Sequence, residues 1–269
     1  MEEQRRRYEA ALRSARRAFD LERQVSDPDT GERLRESMTA LFTMCGRLPE
    51  ARRLIDEHYE LSRKLFPYHR LHSVALEIEF LEVLGGWEEI RALVPRIRSA
   101  AEENRATPCV RSPRSLLVCA AACAALGEDT EVGLLEREAD ELRAEDFGWI
   151  MDAPRIRLAL HRRDLATVSQ LVSASDASIT RRQVWYFPAA VAAHFDALVA
   201  LGEVERVEAD AAEFLETDSV LTAFAMRALG VLRGDPAFLE DAASRFEGLG
   251  FEAQAASTRS LARRDGPRQ

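Results

Sequence analysis

The chain is predicted to be all-α, a stack of paired helices, and three observations predict it. Ala, Leu, Arg and Glu dominate its 269 residues and only 7% is aromatic, a composition that favours helix. Glycine-marked turns recur roughly every 40 residues, the spacing of stacked helix pairs. No alternation of apolar and polar residues of strand length stands out.

Residues 2–24 predict a helix, with Tyr8, Leu12, Ala15 and Phe19 on one face. SDPDTGE (26–32) reads as a turn. The expected pairs then run 33–45 with 49–65, 70–84 with 87–104, 113–126 with 129–144, and a shorter 153–162 with 164–174. Two more follow, 181–201 with 203–215 and 219–232 with 236–248, and a last helix covers 252–264.

The turns share one logic. CGRLPEARRLI (45–55), LGGWEEIRALV (84–94), LGEDTEVGLLE (126–136), LGEVERVEADA (201–211) and LRGDPAFLEDA (232–242) each end one apolar helix and open another. Gly46, Gly85, Gly127, Gly202 and Gly234 are expected in the left-handed cap conformation. Acids such as Glu88, Asp129 and Asp235 then favour the next helix N-terminus. HRRDLATVSQL (161–171) is a weaker copy without the glycine. Trp87 reads as a packing residue at its turn. Pro67, Pro108, Pro113 and Pro154 fall between pairs, where a helix stops or begins. The domain expectation is one continuous solenoid over 1–265, of about six pairs plus terminal helices, with a disordered tail at 266–269. Segment 173–182 is the place for a bend.

Charge and composition exclude several classes. A net charge of −9 argues against direct nucleic-acid binding, which needs a basic surface. Leu116–Leu126, the longest apolar run, is too short to span a bilayer, so no membrane partner is expected. MEEQRRRYEA begins a charged helix and lacks the zones of a signal peptide. Cys45, Cys109, Cys119 and Cys123 are few and lie in apolar patterns, so reduced thiols in a cytoplasm are expected.

Paired helices with a Gly turn, small residues at crossings and Pro at pair boundaries resemble tetratricopeptide repeats. The resemblance implies a right-handed α-solenoid of antiparallel helix pairs. Within it, GDPAFLEDAASRFEGLGFEAQAASTRSLA (234–262) is similar to the closing repeat of bacterial MalT-like and LuxR-type regulators and adenylate-cyclase-linked ATPases. There a "FEALG"-like helix end, here Phe246 to Gly250, precedes an "EAARTR"-like helix, here Glu252 to Arg259. That resemblance implies a regulatory role, as a standalone repeat protein or a detached part of such a regulator. The chain departs from the family in showing no ATPase module. It has no GxxxxGK[ST], and its sole lysine, Lys64, sits in the helical LSRKLF.

No residue context marks a reaction, so no catalytic residue, metal or cofactor is expected. Cys119 and Cys123 lie one helical turn apart but lack further ligands nearby in sequence. His69 and His72, followed by Glu77 and Glu79, read as a solvated first turn. No Ser, Thr or Cys stands in a nucleophile motif such as GxSxG. One pattern points to binding. Tyr68, His69 and Arg70, then Arg111 and Arg114, then Arg155 and Arg157, then Arg181, Arg182, Trp185 and Tyr186 fall near the starts of successive first helices. In tetratricopeptide-like solenoids those helices line the concave face, where Arg can grip carboxylates and aromatics can anchor. An acidic peptide or protein partner is the expected ligand, and a small anion is the alternative. The expected function is therefore a non-catalytic, regulatory protein- or effector-binding module. A small-molecule sensor would instead hold an aromatic cavity near Trp149, Trp185 and Tyr186, and an enzyme would need convergent buried polar groups.

Overall fold

A computed structural model describes residues 2–22, 24, 27–107, 109–142, 145–174 and 188–264. It is all-helical, with no strand among those residues. The elements are α1 (Glu2–Glu22), α2 (Pro28–Met44), α3 (Leu48–Ser62), α4 (Pro67–Leu84), α5 (Trp87–Ala92), α6 (Val94–Glu103), α7 (Arg111–Ala125) and α8 (Asp129–Glu141). A 3-10 turn over Glu145–Met151 leads into α9 (Asp152–His161) and α10 (Leu165–Ala174). Then come α11 (Pro188–Leu201), α12 (Val204–Leu215), α13 (Val220–Arg233), α14 (Pro236–Gly248) and α15 (Glu252–Arg264). The tail, most of the expected bend and the Tyr8 side chain lie outside the described residues.

Two boundaries differ from expectation, each for a local reason. The stretch read as a turn at 26–32 instead starts α2. Asp27 Oδ2 accepts the Thr30 N–H at 3.2 Å, and Pro28 occupies the first turn, where its missing N–H costs nothing. The expected helix 87–104 is broken into α5 and α6 at Leu93, because Pro95 enters the first turn of α6. The Leu93 N–H turns to Ile90 O at 2.9 Å instead.

The turns follow the expected logic. Gly46, Gly85, Gly127, Gly202 and Gly234 all have φ between 58 and 79°. At the copy without glycine, Arg163 takes the same left-handed conformation, φ 57°.

Packing places six helices inside. α2 touches α4, α4 touches α7, α7 touches α9, α9 touches α11, α11 touches α13, and α13 touches α2. The contacts therefore form a closed circuit, and α4 and α11 also meet across it. Both are buried on nearly every side, α4 with Glu79 and Glu82 among its buried residues. Leu71, Ala75, Ile78, Phe80 and Val83 of α4 are buried, as are Ala189, Val191, Ala193, Phe195, Ala197 and Leu198 of α11. α3, α8, α10, α12 and α14 each pack on the preceding helix of their pair.

The ends of the chain lock the circuit. A Cβ at Gly46 would stand 2.6 Å from Leu249, and one at Gly250 3.1 Å from Leu48, so the α2–α3 and α14–α15 turns fit only as glycines. Gln254 of α15 donates from Nε2 to Val83 O, 3.1 Å away and 171 residues earlier. Among the described residues, no helix is long and apolar enough to cross a membrane.

Candidate functional site

The first helices of the pairs bring a chain of polar side chains into the interior. It begins where α2, α3 and α4 meet. Glu32 is 3% exposed and pairs with His69 Nδ1, while His58 Nε2 lies 3.3 Å from Glu32 and 3.6 Å from Glu36. Glu36 Oε1 also accepts from His72 Nδ1 at 3.0 Å and from Arg111 at 2.6 Å. Arg111 reaches on to Glu79 at 3.5 Å. Next comes the buried pair of Arg114 and Glu82, 2.7 Å apart with side chains 1% and 0% exposed. Glu82 faces Arg157 at 3.8 Å, Arg157 faces Asp196 at 3.8 Å, and Asp196 accepts from Arg227 at 2.8 Å. Arg227 also donates to Gln254 Oε1 at 2.9 Å. The seam thus links α2, α3, α4, α7, α9, α11, α13 and α15.

Buried charge persists only when matched, since desolvation of a lone ion costs several kcal/mol. The matching here is visible in the proton affinities. Burial raises the Glu36 carboxyl, but Arg111, His58 and His72 outweigh it and hold the group well below the usual carboxylate range. Burial pushes the Glu79 carboxyl up, against the pull of Arg111 and Arg114. Burial disfavours the His72 cation, yet hydrogen bonds to Cys109 and Glu36 lift it to about 9.

At its Arg157 end the seam opens into a groove. Its walls are Gly85, Trp87, Arg157, Asp196, Arg227 and residues of α15 including Gln254, around about 900 Å³ of space open to solvent. The Arg157 guanidinium sits 5.4 Å from the Trp87 ring centroid, within cation–π range. A second recess, about 450 Å³ and largely apolar, lies between Thr39, Ala40, Leu76, Phe80, Val83 and Pro188, with Glu36, Glu79 and Arg111 at its edge.

The residues expected to line one concave face are divided by the structure. His69, Arg111, Arg114 and Arg157 lie on the seam. Tyr68 stands beside it, 39% exposed, with its ring 4.3 Å from that of His72. Arg70 and Arg155 turn to the surface, to Glu103 at 2.9 Å and Asp140 at 3.7 Å. Arg181, Arg182, Trp185 and Tyr186 lie outside the described residues. The His69–His72 turn is not solvated as expected: both rings are largely enclosed, at 13% and 15% side-chain exposure, because the longer α2 covers them. Among the described residues no group of three His, Cys, Asp or Glu side chains is placed to hold a metal. Trp149 packs against the core cluster that holds Ile150, Ile156, Phe195 and Phe224.

Sequence reasoning missed Glu32, Glu36, His58, Glu82, Cys109, Asp196, Arg227 and Gln254. One signal was present. His72 lies 36 residues after Glu36, and Cys109 lies 37 after His72, so each partner sits about one helix pair from the last. Residues at equivalent places in stacked repeats face one another. Compared with known proteins, the chain matches no family model, no curated protein and no solved structure.

Proposed function

We propose that this chain is a non-catalytic recognition module, a tetratricopeptide-like α-solenoid of antiparallel helix pairs that binds the anionic side chains of an acidic peptide segment. The observation that carries the reading is the groove of Trp87, Arg157, Asp196, Arg227 and Gln254. Arg157 meets its two carboxylates only at 3.8 Å, longer than the charge-assisted hydrogen bonds Arg forms when fully engaged. An incoming carboxylate therefore gains a bidentate partner at the cost of two loose carboxylate contacts and a long hydrogen bond of 3.4 Å to Ala189 O. Arg227 is held firmly by Asp196 and Gln254 and lies near Arg157, with Asp196 between the two. Trp87 adds an amphipathic face of the kind enriched at binding hot spots. The size suits a few residues of peptide or a small anion.

The regulatory part of the reading is supported by the likeness of segment 234–262 to the closing repeat of bacterial signalling regulators. In that setting the groove would report the presence of an effector or partner to a neighbouring module in the cell.

Calorimetric titration with acetylated hexaglutamate tests the groove. Saturable binding to the wild type is expected, weakening at least tenfold in Arg157→Gln and with rising salt. No binding, or the same affinity in Arg157→Gln, removes the proposal. A citrate titration that competes with the peptide would show that the groove reads the anion itself.

A further inference from the structure

The seam carries one group that recognition leaves unused. Cys109 stands two residues before α7 (Arg111–Ala125), and its Sγ lies 3.4 Å from His72 Nε2. The other nitrogen of that ring, Nδ1, is 3.0 Å from Glu36 Oε1. Glu36 is in turn fixed by Arg111 at 2.6 Å. A sulfur, an imidazole and a carboxylate therefore stand in line, supplied by the approach to α7, by α4 and by α2. This is the order in which a nucleophile is paired with a base and the base with an orienting group. The Tyr68 hydroxyl lies 4.0 Å from the sulfur, and the Arg111 backbone N–H reaches it from the start of α7. The helix N-terminus adds positive potential there.

The four thiols separate sharply. Burial pushes Cys45 and Cys123 up to about 11 and Cys119 higher still. Cys109 also feels burial, but the hydrogen bond from His72, the Arg111 N–H and the His72 charge bring its thiol below the ordinary value. Cys109 is partly exposed, whereas Cys119 and Cys123 are buried.

We propose that Cys109, His72 and Glu36 form a reactive-thiol site whose substrates are small disulfides, and that Cys109 becomes S-thiolated. The Cys109 thiolate attacks one sulfur of the disulfide. The Sγ–S bond forms as the S–S bond breaks, and the electron pair leaves on the distal sulfur. That thiolate takes the proton from His72 Nε2 and departs as a neutral thiol. His72 is left neutral and still bonded to Glu36 through Nδ1.

Two features favour a disulfide over a peroxide. Cys109 is partly exposed beside a half-exposed tyrosine, which leaves one side open for the approach of three collinear sulfurs. The guanidinium nearest to it, that of Arg111, is engaged by Glu36 and Glu79 and does not serve a departing hydroxide. The adduct also persists. Cys119 and Cys123 are enclosed in α7, and Cys45 lies nine residues along α2 from Glu36, roughly 13 Å at the helical rise. With the two thiols of α7 enclosed, the site is expected to record exposure to disulfide and not to turn over. The proposal does not depend on the peptide groove.

The test is the stopped-flow release of thiopyridone from dithiodipyridine by the folded full-length chain, with peptide mass mapping of the adduct. One fast equivalent per chain is expected, located at Cys109 and absent in Cys109→Ser. His72→Gln should slow it at least tenfold and move the pH midpoint of the rate upward. If that variant does not fold, the wild-type profile decides. The groups that bear on it are Glu32 and Glu36 of α2, His58 of α3, Tyr68, His69 and Glu79 of α4, and Arg111 of α7. A rate nearly flat from about pH 7 to pH 8 supports the proposal, and one that climbs about tenfold per pH unit through that range, as a free thiol does, overturns it. Fast labelling at Cys45 in place of Cys109 overturns it too. Hydrogen peroxide reacting faster than the disulfide at Cys109 overturns the assignment of substrate.

Discussion

The pairs before residue 145 and those after it use the same hairpin to different ends. In the first half Glu32, His58, Glu79, Glu82 and Arg114 are buried, whereas among the described residues of the second half the buried ionisable side chains are His194 and Arg227. Both halves mix small and large apolar residues, and in the first half α7 buries Ala120, Ala121, Ala122 and Ala124. α11 buries Ala189, Ala190, Ala192, Ala193 and Ala197, and in α13 Gly230 lets Leu239 approach within 2.8 Å of where a Cβ would be. Small residues allow helices to come close and leave a dry interior. The first half adds more matched charge to packing of the same kind. Matched charge is poor value for stability but places titrating and nucleophilic groups inside a helical scaffold. The difference teaches where chemistry can reside in this fold.

The sharpest way to break the comparison is at Glu82 and Arg114, the most enclosed ion pair of the first half. Glu82→Ala removes the carboxylate that accepts from the buried Arg114 guanidinium at 2.7 Å and should destabilise the chain by about 3–5 kcal/mol, a loss on the order of 10 °C in Tm. Replacing both residues, Glu82→Leu with Arg114→Met, should recover most of that loss, because an apolar pair of similar volume needs no matching. Thermal unfolding of the two variants beside the wild type decides it. A Glu82→Ala loss below about 1 kcal/mol would mean that water enters this part of the seam, and the contrast between the halves would fall.

Much of the fold was legible because hairpin turns are local. Glycine after an apolar helix and acid before the next mark a turn within a few residues, and the five expected left-handed glycines are all there. The polar seam was hidden for two physical reasons. Taking 26–32 as a turn left Glu32 on the surface, and with it any reason to enclose His69. The seam's pairs also join residues tens of positions apart, such as Glu36 with Arg111 across 75 residues, and no local motif encodes them. Cys109 shows this most plainly. Its immediate sequence, TPCVRSP, resembles no nucleophile motif, and its partners come from two earlier repeats. Arg114 and Arg157 were legible as groove residues only in part. Their place on first helices was right, but the carboxylates that face them lie on neighbouring repeats.

A weaker effect belongs to the first half and depends on pH. His72 is raised to about 9 in the folded chain, from an ordinary value near 6.5. A raised folded value means that its contribution is complete below about pH 6.5 and is lost as pH rises through about 9. Burial opposes the cation, Glu36 and Cys109 favour it, and Arg111 opposes it across the same gap. The stability difference between wild type and His72→Gln should therefore be about 3 kcal/mol near pH 6 and shrink towards zero above pH 9. Urea unfolding at a series of pH values measures it. A difference that stays constant, or grows with pH, would show that His72 contributes through packing alone.

The smallest effect sharpens the comparison at the turns, where the sign reverses between halves. Arg163 opens the second half's first hairpin with φ 57°, a conformation that costs a side-chain-bearing residue about 1 kcal/mol or more. Gly127 holds the equivalent place in the first half with φ 79°, and a Cβ there would meet nothing within 4 Å. Space is thus not the issue at Gly127, and backbone conformation alone is. Arg163→Gly should stabilise the chain by about 0.5 kcal/mol, the left-handed strain relieved less the greater freedom of glycine in the unfolded chain. Gly127→Ala should destabilise it by about 1 kcal/mol for the same reason acting the other way. Urea midpoints resolve both shifts at equal slope. If Arg163→Gly lowers the midpoint, the Arg163 side chain holds this turn by contacts that outweigh its strain, and the second half would replace a missing glycine with packing.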